Sequence, residues 1–195
     1  MLERARTILR AEADAISGLE LGPSFELAVR TLMDCHGKVI TTGIGKAGYV
    51  ARKTASTLST TGTPSIFLHP GDASHGDVGV LSSSDIFLCF SNSGRTREVL
   101  ETLQFCKALG IGKVIAVTAE KSSPLGQNSD VVLEIGKIKE PCPLEMTPTA
   151  STTAMVALTD ALALVVMEQR GFSKEDFAYR HHGGYLGEKL RGETE

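Results

Sequence analysis

The sequence predicts an α/β fold in which helices cover both faces of a five-stranded parallel β-sheet. Five short apolar runs predict strands, and stretches with helical apolar spacing lie between most of them. Strands that are apolar throughout are typical of a parallel sheet with helices on both faces. A chain of 195 residues that is 42% hydrophobic has the content of one compact domain, so we expect a single domain over residues 1–195.

Two helices are predicted before the first strand. In the first, over residues 2–19, apolar side chains recur at steps of three and four residues. They are Leu2, Ala5, Leu9, Ala13, Ile16 and Leu19. This helix has no strand partner, so we expect it to pack on the domain or on a second subunit. For the second helix, Ser24 is the predicted N-cap and Gly37 the predicted stop.

Strands and helices then alternate. The predicted strands are residues 39–42, 65–68, 86–90, 114–117 and 131–135, and the predicted helices are residues 46–59, 99–109 and 151–167. The last helix is apolar nearly all round, which is typical of a helix buried in the domain or at a subunit interface. It is too short, and too interrupted by Asp160, to cross a bilayer.

The loops after the strands are expected to form one site, because ligands of parallel sheets bind outside the carboxyl ends of the strands. Residues 91–96 join the third strand to a helix, where unpaired N–H groups and the helix dipole favour an anion. Ser91, Ser93 and Thr96 can donate to phosphoryl oxygens, and Gly94 lets the backbone approach. The pattern predicts a phosphate site; an ordinary N-cap, which needs one Ser, is the alternative.

A second glycine-rich loop, residues 43–48, satisfies G-x-G-x-x-G after a strand. The acidic residue that a dinucleotide ribose requires is missing from the end of the second strand, where residues 67–70 are Phe-Leu-His-Pro. Lys46 adds a cation that suits a small anionic ligand better. We therefore expect no nicotinamide cofactor, and no metal either, because no His-x-x-x-His or carboxylate pair has ligand spacing.

Composition restricts the partners and the compartment. The formal charge of -3 is spread along the chain without a basic stripe, so nucleic acid is not an expected partner. The four cysteines lack C-x-x-C spacing and are typical of free thiols in a reducing cytosol. The N-terminus has no apolar signal-peptide core. We expect a cytoplasmic protein with no membrane partner that acts on a small molecule.

Four acid–base side chains lie in or near the loops: His75, Glu98, Glu140 and His181. Each has a structural alternative, since Glu98 could simply complement a helix dipole, and a histidine in a loop is most often a surface residue. The parallel topology brings the separate loops to one edge of the sheet, which favours a shared function. A further hydroxyl cluster, residues 148–153, begins the last apolar helix.

Taken together, the motifs resemble those of the SIS domain, the sugar isomerase module, and specifically the D-arabinose-5-phosphate isomerase family. The matching motifs are Gly-Ile-Gly-Lys at 43–46, Leu-His-Pro with Ser-His-Gly-Asp at 68–77, Ser-Asn-Ser-Gly at 91–94, Lys-Glu-Pro-Cys-Pro-Leu at 139–144, Pro-Thr-Ala-Ser-Thr-Thr-Ala at 148–154, and Phe-Ala with His-x-Gly-Gly-x-Leu-Gly at 177–187. The resemblance covers nearly the whole chain, and the motifs are specific as a set.

The resemblance implies a three-layer αβα sandwich, here with additional N-terminal and C-terminal helices, and a homotetramer with sites between subunits. It implies interconversion of D-arabinose 5-phosphate and D-ribulose 5-phosphate, which feeds the synthesis of the acidic sugar Kdo of bacterial surface polysaccharides such as lipopolysaccharide. By the same resemblance, the residues that match the family's active site are Lys46, His75, Glu98, Glu140 and His181.

An aldose–ketose isomerase needs a base for the C2 proton, a group that moves protons between O1 and O2, and donors for the enediolate. We expect Glu140 to be the base, with Glu98 as the alternative, and His181 to open the ring and shuttle the hydroxyl proton. Lys46 and His75 are expected to orient the sugar hydroxyls. The predicted substrate-binding residues are Gly45, Lys46, Ser91, Asn92, Ser93, Thr96, Ser151 and Thr152.

The sequence differs from the family at three points. Many members carry two CBS domains after the sugar module, whereas this sequence stops at Glu195 and we expect no CBS domains in it. Arg95 and Thr96 stand where Glu and Ser are common, and His182 replaces the usual Pro. Two other functions stay open: a regulatory module that binds a sugar phosphate, and an isomerase of another sugar phosphate such as a hexulose 6-phosphate.

Overall fold

A five-stranded, all-parallel sheet lies at the centre of the molecule, with the strand order β2-β1-β3-β4-β5. The computed structural model describes residues 1–180 of the chain. The strands are β1 (Val39–Gly43), β2 (Ser65–Phe67), β3 (Ile86–Phe90), β4 (Lys113–Thr118) and β5 (Val131–Glu134). Each predicted strand is confirmed to within one residue at either end, and the sheet is parallel throughout as predicted.

Eight α-helices and a short 3-10 helix surround this sheet within residues 1–180. The α-helices are α1 (Leu2–Ser17), α2 (Pro23–Met33), α3 (Gly45–Thr60), α4 (Pro70–Ala73), α5 (Arg97–Ala108), α6 (Pro124–Gln127), α7 (Ala150–Gln169) and α8 (Lys174–Arg180), and the 3-10 helix is Asp77–Val80. The three short helices α4, α6 and Asp77–Val80 were not predicted from the sequence.

Alternate residues of the buried strands divide the core into two layers. In β3, Ile86, Leu88 and Phe90 pack in the layer that α2, α3 and α7 cover, and α1 lies on the outside of α7. Phe87 and Cys89 pack in the other layer, beneath α4, α5 and α6. Helices thus cover both faces of the sheet, which confirms the predicted three-layer αβα sandwich. The central strands carry apolar side chains on both faces for this reason.

The start of α2 corrects one prediction. The helix begins at Pro23 with Gly22 as its N-cap, so Ser24 lies inside the first turn, and the helix is capped at Asp34 rather than stopping at Gly37. Proline is favoured at the first helical position because its fixed φ suits the helix and its missing N–H has no partner there. Pro23 therefore sets the helix start one residue before the predicted cap.

The apolar stripe predicted for α1 faces outward. The helix packs on α7, as expected of a helix without a strand, but through a half-buried face formed by Ile8, Ala11, Glu12 and Ala15; of the predicted stripe, Leu19 just beyond the helix packs on the core. The large apolar side chains Leu2, Leu9 and Ile16 are 76%, 66% and 40% exposed. The spacing of apolar residues identifies an apolar stripe on a helix but not the face that packs on the domain. The small side chains of Ala11 and Ala15 allow α1 to approach α7 more closely.

Helix α7 is a core helix of the domain. The prediction that it is too short to cross a bilayer is wrong, because its 20 residues suffice by length and composition; half of its most apolar window is buried inside the structure. Met155, Leu158 and Leu162 pack in the core against the sheet. Asp160, the charge within the apolar run, forms an ion pair with Lys53 of α3. The helix is thus buried by the sheet and by α3, which agrees with the first of its two predicted positions, the interior of the domain.

Candidate active site

The carboxyl ends of β1 and β3 form a crevice at one edge of the sheet. Gly43 at the end of β1 is paired with Phe90 at the end of β3, so the loops after the two strands leave the sheet side by side. Helix α3 then crosses one face of the sheet to reach β2, and α5 crosses the other face to reach β4. Such a point, where neighbouring connections diverge, is where open parallel sheets bind their ligands.

The turn at residues 91–96 is pressed against the loop between β4 and α6. Gly94 has a φ of 61°, and a Cβ on Gly94 would lie 2.1 Å from the Ser123 Oγ. The Leu125 N–H donates to the Gly94 carbonyl over 2.9 Å, and the Ala119 N–H donates to the Asn92 carbonyl over 2.9 Å. Only glycine fits at position 94, and the neighbouring loop fixes the path of the turn.

The N-terminus of α5, which this turn precedes, carries no side-chain cap. Thr96 occupies the N-cap position but makes no cap hydrogen bond; its hydroxyl instead lies 2.8 Å from the hydroxyl of the buried Ser91. The Ser93 Oγ accepts from the Arg95 N–H over 3.2 Å, and within residues 1–180 the N–H groups of Ser93 and Thr96 have no partner. This helix end is therefore able to bind an anion with several donors at once.

The loop after β1 leads into a second part of the site. Lys46 lies exposed in the first turn of α3, just after Gly45, whose φ is 60°. Lys46 and Thr152 line one open groove of about 390 Å³ between the N-terminal halves of α3 and α7. The other residues of the groove are Tyr49, Val50, Lys53, Thr153 and Val156. The structure thus places the predicted residues Lys46 and Thr152 together.

The carboxylate of Glu140 caps the N-terminus of α7. Its Oε2 accepts from the N–H groups of Thr149 and Ala150, each over 2.9 Å, and from the Thr149 hydroxyl over 3.3 Å. Its Oε1 accepts from the Ser151 N–H over 3.2 Å and from the Ser151 hydroxyl. Glu140 is 7% exposed. Its carboxylate is therefore committed to the start of α7 in this conformation.

These hydrogen bonds also set the proton affinity of Glu140. Burial by itself would raise the pKa of this carboxyl, but the bonds from Ser151, Thr149 and Ala150 outweigh burial and hold the pKa below its usual value. A carboxylate with a lowered pKa is a weaker base. The hydroxyl of the buried Ser151 donates its hydrogen bond to Glu140. The substrate-binding role predicted for Ser151 and the base role predicted for Glu140 stay predictions.

Glu98 and His75 lie on the other face of the sheet from Lys46. Glu98 is half-buried in the first turn of α5, directly after the 91–96 turn, and its carboxylate has no hydrogen bond or ion pair within residues 1–180. His75 is exposed and follows α4, which packs against α5. Glu98 is therefore a carboxylate available at the mouth of the predicted phosphate site.

Comparison with known proteins places this geometry in a family. The model of the SIS domain matches residues 31–165, a range that includes the crevice, the 91–96 turn and the groove beside Lys46. The chain belongs to the SIS domain family. The resemblance seen in the sequence is thereby confirmed, as is the fold that it implied.

Several relatives share this SIS domain at substantial identity. Arabinose 5-phosphate isomerase KdsD of Pseudomonas aeruginosa is 43% identical over 191 residues, which are 97% of this chain and 58% of the relative. The Escherichia coli K12 protein of the same name is 40% identical over 190 residues. The chain thus spans 58% of the length of the curated relatives that it matches.

Two solved structures match this chain over nearly their whole length. A crystal structure from Bacteroides fragilis NCTC 9343, described as a candidate phosphosugar isomerase involved in capsule formation, has a TM-score of 0.92 and 42% identity, and the match covers 95% of this chain and 99% of that one. A protein of Escherichia coli CFT073, solved in complex with A5P, has a TM-score of 0.87 and 35% identity, with 92% and 96% covered.

The remaining predicted site residues divide by their position. His181 and His182 lie outside the described residues. Asn92 is exposed in the turn, and its carbonyl oxygen accepts the hydrogen bond from Ala119 in the loop between β4 and α6. Among residues 1–180, no group of three or more His, Cys, Asp or Glu side chains is placed to hold a metal ion.

Two residues beside the site were not singled out from the sequence. Tyr49 lines the groove with Lys46 and is 75% exposed. The sequence could have indicated it, because residues three positions apart on a helix lie on the same side. The Cys142 Sγ accepts from the N–H groups of Thr147 and Met146 over 3.3 and 3.4 Å, and these bonds lower the pKa of Cys142 to about 7. Cys142 lies two residues from Glu140.

Proposed function

We propose that this SIS domain is an aldose–ketose isomerase that interconverts D-arabinose 5-phosphate and D-ribulose 5-phosphate through an enediol. One observation carries the proposal: the uncapped N-terminus of α5 holds both the hydroxyl-rich 91–96 turn and the half-buried carboxylate of Glu98, which has no partner within residues 1–180. An anion site thus adjoins a base. The KdsD relatives and the complex with A5P support the same substrate.

The phosphate end of the sugar would bind at the 91–96 turn. The unpaired N–H groups of Ser93 and Thr96 and the positive end of the α5 dipole favour a dianion, and the hydroxyls add donors. Because the phosphate lies at the far end of the sugar from the reacting carbons, its binding energy positions C1 and C2 without entering the chemistry.

Glu98 is the carboxylate that we propose as the C2 base. A base must have a free lone pair within reach of the proton. The two carboxylate oxygens of Glu140 instead accept hydrogen bonds from five donors at the start of α7. The geometry therefore supports the alternative base considered from the sequence. Glu140 would instead act by fixing the α7 terminus and thereby Thr152.

The other predicted residues would act on the sugar hydroxyls. Lys46, exposed beside Thr152, would offset negative charge that develops on the enediolate oxygens, and His75 would orient a hydroxyl from the opposite face. The role of His181 in ring opening and in moving the proton between O1 and O2 remains the proposal made from the sequence resemblance.

Assembly into a homotetramer is part of the proposal. The exposed stripe of Leu2, Leu9 and Ile16 on α1 is apolar surface that a second subunit would cover, and Leu144 and Met146 in the loop before α7 are 72% and 78% exposed. The four free cysteines fit a cytoplasmic enzyme, and its product would supply the synthesis of Kdo for surface polysaccharides.

Proton exchange in deuterated buffer tests the function directly. With D-arabinose 5-phosphate, we expect solvent deuterium at C1 of the ketose as it forms, and at C2 of the aldose that is regenerated from the enediol. Glu98→Gln should reduce the exchange by at least about 100-fold, the range of a positioned general base. A panel of pentose and hexose phosphates distinguishes the alternatives: a regulatory module would bind a sugar phosphate without exchange, and exchange restricted to a hexose phosphate would move the activity to that substrate.

Sedimentation tests the assembly. We expect a tetramer for the unmodified protein at micromolar concentration and a smaller species for Leu9→Glu, which places a charge in the exposed stripe of α1. Glu3→Gln on the same helix serves as the control. A stable monomer of the unmodified protein would contradict both the tetramer and the covering of α1.

A further inference from the structure

The loop between β5 and α7 contacts the rest of the domain near β5, where Ile138 packs on the core and Lys137 pairs with Glu120, and again through two adjacent residues in its middle. The Glu140 carboxylate holds the start of α7, and the carbonyl oxygen of the next residue, Pro141, accepts a hydrogen bond from the Arg4 guanidinium. The surrounding residues 142–147 bond chiefly to one another, through Cys142 and through the exposed ion pair of Lys139 with Glu145. The position of the loop thus depends on Arg4 as well as on Glu140.

Helix α1 spans from this loop onto the first turn of α7. Arg4 contacts Pro141, and eight residues later the Glu12 carboxylate accepts from the Thr153 hydroxyl over 3.4 Å. At a rise of about 1.5 Å per residue, the two contacts lie about 12 Å apart along α1. Thr153 lines the groove that Lys46 and Thr152 share. Among the described residues, the two polar contacts that α1 makes outside itself are therefore with segments that build the site.

Helix α1 packs extensively on α7, but its first turn lies free of that packing. None of its residues is buried, and the side chains of its first turn are all exposed. The packing on α7 therefore holds the middle of α1, whereas the first turn is tied to the domain through the Arg4 side chain. Arg4 is thus the group that couples the first turn of α1 to the loop.

We propose that α1 positions the loop between β5 and α7 through the hydrogen bond from Arg4 to the Pro141 carbonyl, so that Arg4 is a positioning residue for the isomerase site. Arg4 does not touch substrate. It holds the residue after Glu140, and Glu140 fixes the helix start from which Thr152 enters the groove beside Lys46. This inference rests on the proposed isomerase function for its catalytic consequence, but its structural part does not.

Cys142 gives a readout of the loop that needs no substrate. Its pKa of about 7 is set by N–H groups of Thr147 and Met146 in the same loop, whereas the pKa values of the other three cysteines are raised, chiefly by burial. The pH midpoint of its alkylation therefore reports whether the loop keeps its geometry. In Arg4→Met, which keeps much of the side-chain length but removes the donors, the midpoint should rise toward that of an ordinary thiol by about half a pH unit or more.

Turnover is the second readout. In Arg4→Met, kcat for D-arabinose 5-phosphate should fall by about three- to tenfold while KM stays within about twofold, because misplaced groups slow the chemical step and the 91–96 turn is untouched. Arg4→Lys, which keeps one donor, should recover part of both effects. Arg6→Met removes the same charge from the same helix, where Arg6 lies 3.7 Å from Glu3, and should change neither readout.

The outcomes separate this inference from the proposed function. If Arg4→Met and Arg6→Met give the same alkylation profile as the unmodified protein, Arg4 does not position the loop. If the profile shifts but kcat does not, the positioning has no catalytic role and the inference is overturned. If the profile shifts and the unmodified protein shows no isomerase activity with any sugar phosphate, the placement of the loop by Arg4 is upheld while the proposed function fails.

Discussion

Replacing Glu140 with Gln separates two roles for this side chain, that of a helix cap and that of a catalytic base. Glu140 is 7% exposed, and its two oxygens accept from three N–H groups and two hydroxyls at the start of α7. The amide of Gln has nearly the same shape but only one accepting oxygen. Whichever way the amide turns, an NH₂ group faces donors that the carboxylate now satisfies.

The cost of this change follows from the contacts. If the amide oxygen keeps the Thr149 and Ala150 side, the Ser151 N–H loses its acceptor, and losing a hydrogen bond to a charged group costs about 1.5–3 kcal/mol. Loss of the negative charge at the helix N-terminus costs about 0.3–2 kcal/mol more. We expect the free energy of unfolding to fall by about 2–4 kcal/mol, and a fall of about 3 kcal/mol lowers Tm by about 6–12 °C in a protein of this size.

Acidification should narrow the difference between Glu140→Gln and the unmodified protein. The pKa of Glu140 is lower in the folded protein than in the unfolded chain, so the stabilisation from its charge is fully present above the unfolded pKa of about 4.3. That stabilisation is lost as the pH falls through the folded pKa. The variant has no charge to lose, and the two stability curves should converge below about pH 4.

Urea denaturation at pH 7 and at acidic pH measures the stability, and proton exchange measures the chemistry on the same samples. Glu145→Gln is the matched control, because Glu145 lies in the same loop and forms only an exposed ion pair with Lys139 at 2.7 Å. The cap interpretation would be refuted if Glu140→Gln were as stable as the control and yet lost proton exchange completely. Glu140 would then be the base and Glu98→Gln should keep the exchange.

Three further predictions address the 91–96 turn, the ion pair between Asp85 and Lys38, and the thiol of Cys142. Ser93→Ala and Thr96→Ala should each weaken sugar-phosphate binding by about 1–2 kcal/mol in calorimetric titrations, with the fold intact by circular dichroism. Asp85, whose side chain is fully buried, accepts from the Lys38 ammonium over 2.7 Å. Asp85→Ala should therefore destabilise the protein by about 3–5 kcal/mol in urea denaturation, because the lysine loses its partner, and an unchanged midpoint would contradict this. Iodoacetamide should label Cys142 first, with a pH midpoint near 7; mass spectrometry that finds another cysteine labelled first would refute the assignment.

The strands could be predicted because a strand that is buried on both faces requires an uninterrupted run of apolar residues. A strand between two helical layers needs apolar side chains on both faces, so Ile86 to Phe90 form an uninterrupted apolar run with sharp polar ends. No strand order was predicted from the sequence, so the pairing of β1 with β3, which forms the crevice, comes from the structure. The sequence did predict that the loops after the strands, which carry Lys46 and the 91–96 turn, lie at the carboxyl ends of one parallel sheet.

Long-range contacts were not accessible in the same way. Glu140 caps a helix that starts ten residues later, well outside the three-residue spacing of a capping box, so no local pattern identifies it. Arg4 meets Pro141 across 137 positions of the chain. The outward orientation of Leu9 likewise depends on which face of α1 meets α7, and a period of 3.6 residues does not encode that choice.

The position of α7 in the chain bears on how the protein folds during synthesis. Much of the apolar cover of one sheet face comes from α7, whereas α5 of the opposite face lies between the strands that it connects. The 35 residues from Glu134 to Gln169 take about 2–7 s to translate at about 5–20 residues per second. For that interval the nascent chain has all five strands but lacks α7, and we expect it to bind chaperones that recognise apolar surface until the helix docks.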